Sequence, residues 1–271
     1  MRTSILHCLL SGIVLPLFGQ SLNFPSSFNS SGINACSQNF QDVFSISYNQ
    51  AILASLKNAS AGIYGEQRFS LKELSFYQVN AVLPVKTGGF GIVVTRFGSA
   101  GSSESLFSMA YGRSLSHNLN AGVQFNYYLF NNGSYGNSSL INFDAGIIFR
   151  INDQFATSIH INNAVKSIIS KNKEGLPFQL SSGFGYDISK DVYFGCSINK
   201  TENEPVDINS QVNYRIDEKI IARLGVHSSN TVFYCGAGIL LGKMRIEASS
   251  SIHPYLGLTP GLSLIFNPPV F

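Results

Sequence analysis

The sequence predicts an all-β protein: a transmembrane antiparallel up-and-down β-barrel of about fourteen strands, with an N-terminal plug segment ahead of it. Three observations lead there. Apolar residues recur at every second position through most of the chain, most plainly from Leu140 to Ile151. There Ile141, Phe143, Ala145, Ile147, Phe149 and Ile151 share one face, and Leu140, Asn142, Asp144, Gly146, Ile148 and Arg150 share the other. The connections between such segments alternate between tight and longer. Charged residues make up only 12% of the 271, against a usual ~25%, which suits a wall whose outer band meets lipid. A soluble sandwich has no reason to alternate its connections or to shed charge.

Residues 1–19 read as a cleaved secretory signal peptide: Arg2 supplies the positive charge, Ile5 to Phe18 the apolar stretch, and Gly19 the small residue before Gln20. Cys8 lies inside that stretch, too early for lipoprotein cleavage. Residues 20–58 are rich in Ser and Asn and weakly periodic, with a helical piece around Asn49 to Leu56; they are expected to form a plug or periplasmic lead-in. Residues 59–271 are expected to form the barrel. Its strands should begin near Ala59, Glu73, Phe90, Ser105, Leu119, Ser138, Gln154, Leu176, Asp191, Val206, Lys219, Thr231, Met244 and Leu256. Phe69-Ser70-Leu71 makes a poor turn between the first two.

Tight connections fall at Lys86 to Gly89, Ser116 to Asn118, Asn152-Asp153, Ser189 to Asp191, Asp217-Glu218 and Gly242-Lys243. The longer ones run over Ser99 to Glu104, Asn131 to Asn137, Asn163 to Gly175 and Lys200 to Pro205. Short turns on one side are the outer-membrane arrangement, with the short side periplasmic, and an even strand count returns both termini there. Tyr127, Tyr128, Tyr186, Tyr193 and Tyr214 fall toward strand ends, as interface girdles would. Pro260 marks a local kink in the last strand, and the chain ends on the aromatic Phe271. Of the cysteines beyond the leader, Cys196 and Cys235 take the outward phase and read as free thiols; Cys36 lies in the plug segment.

The inward phase carries the ionisable residues that matter most for function. Arg215, Arg223, Arg245 and Glu247 cluster late in the chain, with Asp144 and Asp187 elsewhere. They form either a salt-bridged network that stiffens the barrel or a site for a carboxylate or phosphate head group, which arginine binds bidentately. Asp42 and Asn49 of the plug segment are expected to hydrogen-bond to Arg215, Arg223 or Arg245, because a charge in a confined lumen needs a partner.

One stretch carries a family resemblance. Gly32-Ile33-Asn34-Ala35, then Asp42-Val43-Phe44-Ser45, then Asn49-Gln50-Ala51-Ile52-Leu53 resembles the N-terminal segment of FadL-like barrels, in particular their PorV/PorQ branch. Glu66-Gln67-Arg68-Phe69 followed by Leu71-Lys72-Glu73-Leu74 looks like the first hairpin of short members of that branch from Bacteroidota. The chain departs from the pattern at Gln50, where the family usually has Pro, and at Ile52, where it often has Gly. The resemblance implies a fourteen-stranded barrel with an N-terminal plug. In relatives the role is uptake of hydrophobic compounds or service to the type IX secretion system.

No catalytic signature is complete. Gly242-Lys243 lacks the rest of a P-loop, Gly183-Phe184-Gly185 the rest of a dinucleotide fingerprint, and no His pair has zinc-ligand spacing. No cofactor is expected. His227-Ser228-Ser229-Asn230 resembles the His-x-Ser-Asn stretch of outer-membrane lipid A deacylases, but no acid to orient the histidine is evident from the sequence. The net charge of +3 without a Lys/Arg cluster gives no footprint for nucleic acid. The leading expectation is a non-enzymatic outer-membrane protein passing small hydrophobic or amphipathic compounds. The alternative is an accessory or structural barrel of a type IX-like secretion system holding secretion-system proteins through its loops. A membrane-embedded lipid hydrolase is a third. In each case the barrel's surroundings are outer-membrane lipid.

Overall fold

A computed structural model of the chain describes residues 33–133, 136–164, 176–228 and 232–268. The leader at 1–19, the first part of the plug segment and Phe271 lie outside the described residues. Fourteen antiparallel strands close into one barrel in sequence order. They are β1 (Ser60–Gln67), β2 (Ser75–Val85), β3 (Gly88–Gly98), β4 (Ser102–Ser114), β5 (Leu119–Asn132), β6 (Gly136–Arg150) and β7 (Phe155–Asn162). The second half holds β8 (Gln179–Asp187), β9 (Val192–Thr201), β10 (Asp207–Arg215), β11 (Ile220–His227), β12 (Val232–Leu241), β13 (Met244–His253) and β14 (Gly257–Phe266). Each strand begins within three residues of its expected start. β1 pairs with β14, from Ala61 opposite Phe266 to Glu66 opposite Gly261, so no edge is left unpaired.

The alternation sorts the two faces as the pattern requires. In β6, Ile141, Phe143, Ile147 and Phe149 are exposed while Leu140, Asn142, Asp144, Gly146 and Ile148 are buried. β5 does the same with Val123 and Phe125 out and Asn120, Gln124 and Asn126 in; β13 places Ile246 and Ile252 out and Arg245 and Glu247 in. An exposed apolar band outside a polar interior is the reverse of a soluble domain and identifies an outer-membrane barrel. No described helix is long and apolar enough to cross a membrane; the strands cross it instead.

Three turns on the periplasmic side follow one local rule. Asn152 Oδ1 accepts from the backbone N–H groups of Gln154 and Phe155, Ser189 Oγ from Asp191 and Val192, and Asp217 Oδ1 from Lys219 and Ile220. A short polar side chain thus mimics the backbone at the same point of each turn. Two of the opposite connections, β3 to β4 and β5 to β6, are shorter than expected. Residues 102–104, 131–132 and 136–137 join the ladder instead of forming loops, because their backbones find partners across β3–β4, β4–β5 and β5–β6. The unpromising Phe69–Ser70 stretch closes through two short 3-10 turns, Arg68–Ser70 and Lys72–Leu74, with both Phe69 and Ser70 at positive φ. Phe69 N–H donates to Thr259 Oγ1 at 3.0 Å, which holds the turn against β14.

Two girdle assignments are corrected. Tyr193 and Tyr128 face the lumen, since Tyr193 shares the phase of Gly195 and Tyr128 that of Asn126. Tyr193 Oη donates to the backbone carbonyl of Ile33 at 2.5 Å. Tyr127, Tyr186 and Tyr214 keep the outward phase.

Candidate functional site in the barrel lumen

From Ile33 onward the plug segment lies inside the periplasmic half of the barrel, with three 3-10 turns, Asn34–Cys36, Val43–Ser47 and Gln50–Ala54. Their starts are written in the sequence. Asp42 Oδ1 accepts from Phe44 N–H at 3.0 Å while Asp42 N–H donates to Ser45 Oγ at 3.3 Å, a capping box. Asn49 Oδ1 accepts from Ala51 N–H at 3.0 Å. Val43, Phe44, Ile46, Ile52 and Leu53 pack against Tyr64, Phe76, Val82 and Val93 of the wall, so the segment has its own apolar contact with the barrel.

Asp42 is the electrostatic centre of this docking. Its Oδ2 meets Arg245 Nη2 at 2.6 Å and Arg223 Nη2 at 3.2 Å. Glu247 completes a quartet, 3.3 Å from Arg223 Nη1 and 3.6 Å from Arg245 Nη2. Burial opposes the Asp42 carboxylate, but the two guanidinium groups outweigh it and hold the acid below the usual carboxylate range. The expected bond from Asp42 to Arg223 and Arg245 is therefore present.

Arg215 instead sits at the periplasmic rim. It reaches the Asn39 carbonyl and Asp191 Oδ1, each at 3.3 Å, and lies over the Phe40 ring. Asp187 accepts from Ser37 Oγ at 2.6 Å and Gln38 N–H at 2.8 Å. Asn49 departs from expectation: its Nδ2 donates to the carbonyls of Ile159 at 3.2 Å and Ile147 at 3.3 Å, not to an arginine. The physical reason is Gly146. Asn49 Oδ1 occupies the space that a Cβ at residue 146 would need, so the amide drops onto the wall's own backbone.

Asp144 stands apart from the other sequence-chosen lumen residues: its described contacts reach neither the plug segment nor an arginine. Its Oδ1 accepts from Asn163 N–H at 2.8 Å, and its Oδ2 from Asn126 Nδ2 at 2.6 Å and Gln124 Nε2 at 3.5 Å. Asn126 also donates to Asn142 Oδ1 at 2.8 Å and accepts from Ser108 Oγ at 2.6 Å, which makes an amide belt across β4, β5 and β6. One row toward the extracellular mouth, Leu106 faces Tyr128 and Tyr128 faces Leu140 across the same strands, all on the inward phase. An apolar row thus stands directly above a polar one.

Sequence reasoning missed the amides that position the plug. Asn34 Oδ1 accepts from Gln211 Nε2 at 2.5 Å and Asn213 Nδ2 at 2.6 Å, and Asn80 Nδ2 donates to the Val43 carbonyl at 3.1 Å. The signal available was Asn and Gln recurring on the inward phase. The His227 pattern also gains something unseen in the sequence: Asp207 Oδ2 lies 3.3 Å from His227 Nδ1. Ser228 Oγ, however, reaches Asp207 Oδ1 at 3.4 Å and accepts from Ile208 N–H at 2.8 Å. Ser229 and Asn230 lie outside the described residues. Among the described residues no three His, Cys, Asp or Glu side chains group as metal ligands.

The closed barrel of this chain has counterparts among solved structures. The fold is FadL-like. The chain is similar to the structure described as the CymD monoaromatic hydrocarbon channel, with 10% identity over 89% of this chain and 96% of that one at a TM-score of 0.62. It is similar to the Ralstonia pickettii toluene transporter TbuX, with 9% identity over 90% and 97% at a TM-score of 0.63. A Pseudomonas aeruginosa FadL homologue matches at 10% identity over 83% and 94% with a TM-score of 0.63. No protein-family model matches the chain, and no curated protein does.

Proposed function

We propose that this barrel passes small hydrophobic or amphipathic compounds across the outer membrane, without covalent chemistry. The observation that carries the reading is the two-tier inner wall: Leu106, Tyr128 and Leu140 above Ser108, Asn126 and Asn142. A compound with an apolar body and a polar group can meet both tiers at once. Apolar contact supplies affinity and the amides supply orientation. The FadL-like fold, shared with structures described as toluene and hydrocarbon transporters, agrees with this role. The likeness of residues 32–74 to the PorV/PorQ branch extends the assignment to a short Bacteroidota-type member.

The test is uptake into proteoliposomes. Wild-type protein should pass benzyl alcohol and toluene faster than protein-free vesicles do. Leu140→Asp, which charges the apolar tier, should slow both while keeping the folded gel mobility. Wild-type vesicles no leakier than lipid alone would favour the accessory role.

A further inference from the structure

Asp144 is 7% exposed, and among the described residues no cation pairs with it. What flanks it is unusual. Gln124 stands directly opposite it on β5, and its Oε1 is buried without a donor. On the other side, the pairing of Ala145 with Ile161 places Asn162 next in register to Asp144. Asn162 Oδ1 is also buried without a donor. From the plug segment Gln50, fully buried, brings a third such oxygen: its Oε1 lies beside Gly146, the next inward residue of β6. The nearest imidazole does not supply the missing charge. Gln50 Nε2 can only donate, so at 3.0 Å it makes His160 Nε2 an acceptor and the ring neutral.

One carboxylate and three orphaned amide oxygens therefore line neighbouring inward positions of one stretch of lumen wall, and each lacks the same thing. A buried acceptor without a donor, and a buried negative charge without a counter-charge, both cost free energy that one positive hydrogen-bond donor would recover. A carboxylate-bearing solute would add a second negative charge there. The arginines that could offset it at Asp42 are already engaged.

We propose that Asp144, Gln124, Asn162 and Gln50 form a monovalent-cation site that receives a protonated amine or an alkali ion at the inner end of the solute path. The site deepens the channel reading, on which it rests, by giving the lumen a preference for cationic over neutral and anionic solutes of equal size. Amide and carboxylate oxygens are the ligand set that hard cations and ammonium groups share, and acidic wall groups are a known basis for cation preference in pores.

The experiment titrates the refolded full-length barrel at neutral pH with benzylammonium, benzyl alcohol and benzoate, three probes of similar size that differ in charge, by calorimetry. Benzylammonium should bind at least about tenfold more tightly than the other two. Asp144→Asn should remove that preference, and Gln124→Leu should weaken it while retaining the carboxylate. Both variants are scored only if heat-modifiable mobility shows a folded barrel. Competition by sodium chloride but not by choline chloride assigns the site to an alkali ion; its absence assigns it to the ammonium group. Equal binding of all three probes, or an unchanged preference in a folded Asp144→Asn barrel, overturns the site. Neutral aromatics entering vesicles without any cation preference would overturn this site and leave the channel reading intact. Benzylammonium binding with no uptake of any solute would do the opposite.

Discussion

Two guanidinium groups converge on a single plug oxygen, Asp42 Oδ2. Removing that oxygen's charge takes one of the two carboxylates away from Arg223 and Arg245, and breaking a buried pair costs about 3–5 kcal/mol. Asp42→Asn should therefore loosen the plug. Cys36 is a built-in reporter: it is buried, and burial pushes its thiol up to about 11, so it should resist a water-soluble maleimide while docked. In a Cys196→Ser, Cys235→Ser background, Asp42→Asn should label at Cys36 several-fold faster than its parent; equal rates would mean the apolar contacts hold the plug alone. The pH dependence has a definite sign. Asp42 is shifted down in the folded state, so its contribution is present above the ordinary carboxylate value of 3.8 and is lost as pH falls through the lower folded value. Cys36 labelling, corrected for thiolate fraction, should stay flat from neutral pH to about 5 and rise only in stronger acid.

At the scale of strands and turns, the period-2 pattern carried most of the information. Phe143 and Ile147 outward and Asn142 and Asp144 inward could be read directly, because one face meets lipid and a one-residue slip would reverse every side chain. A charge at Phe143, Ile147 or Val123 should impair assembly, at about 2–4 kcal/mol for Arg at mid-membrane. The same change at Asn142 or Asn126 should be milder, and folded yield after refolding separates the two sets. What the pattern could not show is where a lumen-facing glycine serves a second element. Gly122 has the Gln50 and Ala51 backbone where its Cβ would be, and Gly146 has Asn49. Alternation assigns both to the lumen but is silent on the plug, which approaches from far away in sequence. The partners of Asn49 were misread for that reason, whereas Asp42 was legible because a buried carboxylate demands cations and the inward arginines were few. Gly122→Val should thus displace the Gln50–Ala54 turn without disturbing the β5 ladder: Cys36 labelling should rise while the heat-modifiable band is retained. A barrel that fails to fold would show that plug docking is required for closure.

The whole molecule joins a wall whose backbone is satisfied by closure to a plug that fills part of its interior. Closure makes the barrel resistant to detergent until heated, so the folded protein should migrate differently in gels before and after boiling and should fractionate with the outer membrane. Recovery as a soluble periplasmic protein would contradict the lipid-facing band of Phe143, Ile147 and Val123. The plug sets how much of the lumen can conduct. Deleting residues 21–50 would remove Val43, Phe44 and Ile46 from the contact with Tyr64, Phe76 and Val93, and would take away Asp42 and Asn49. The strand ladder does not pass through that segment, so the barrel should still close, with a lower unfolding temperature. Arg223 and Arg245 would then face water with Glu247 beside them and Asp42 gone, which turns the periplasmic half from a packed contact into a positively biased opening. Conductance across a planar bilayer should rise well above that of the intact protein and shift toward anions. An unchanged conductance in a folded deletion variant would mean that the wall's own side chains, from Leu106, Tyr128 and Leu140 down to the amide belt, already close the path. The secretion-accessory role would then replace transport as the better reading.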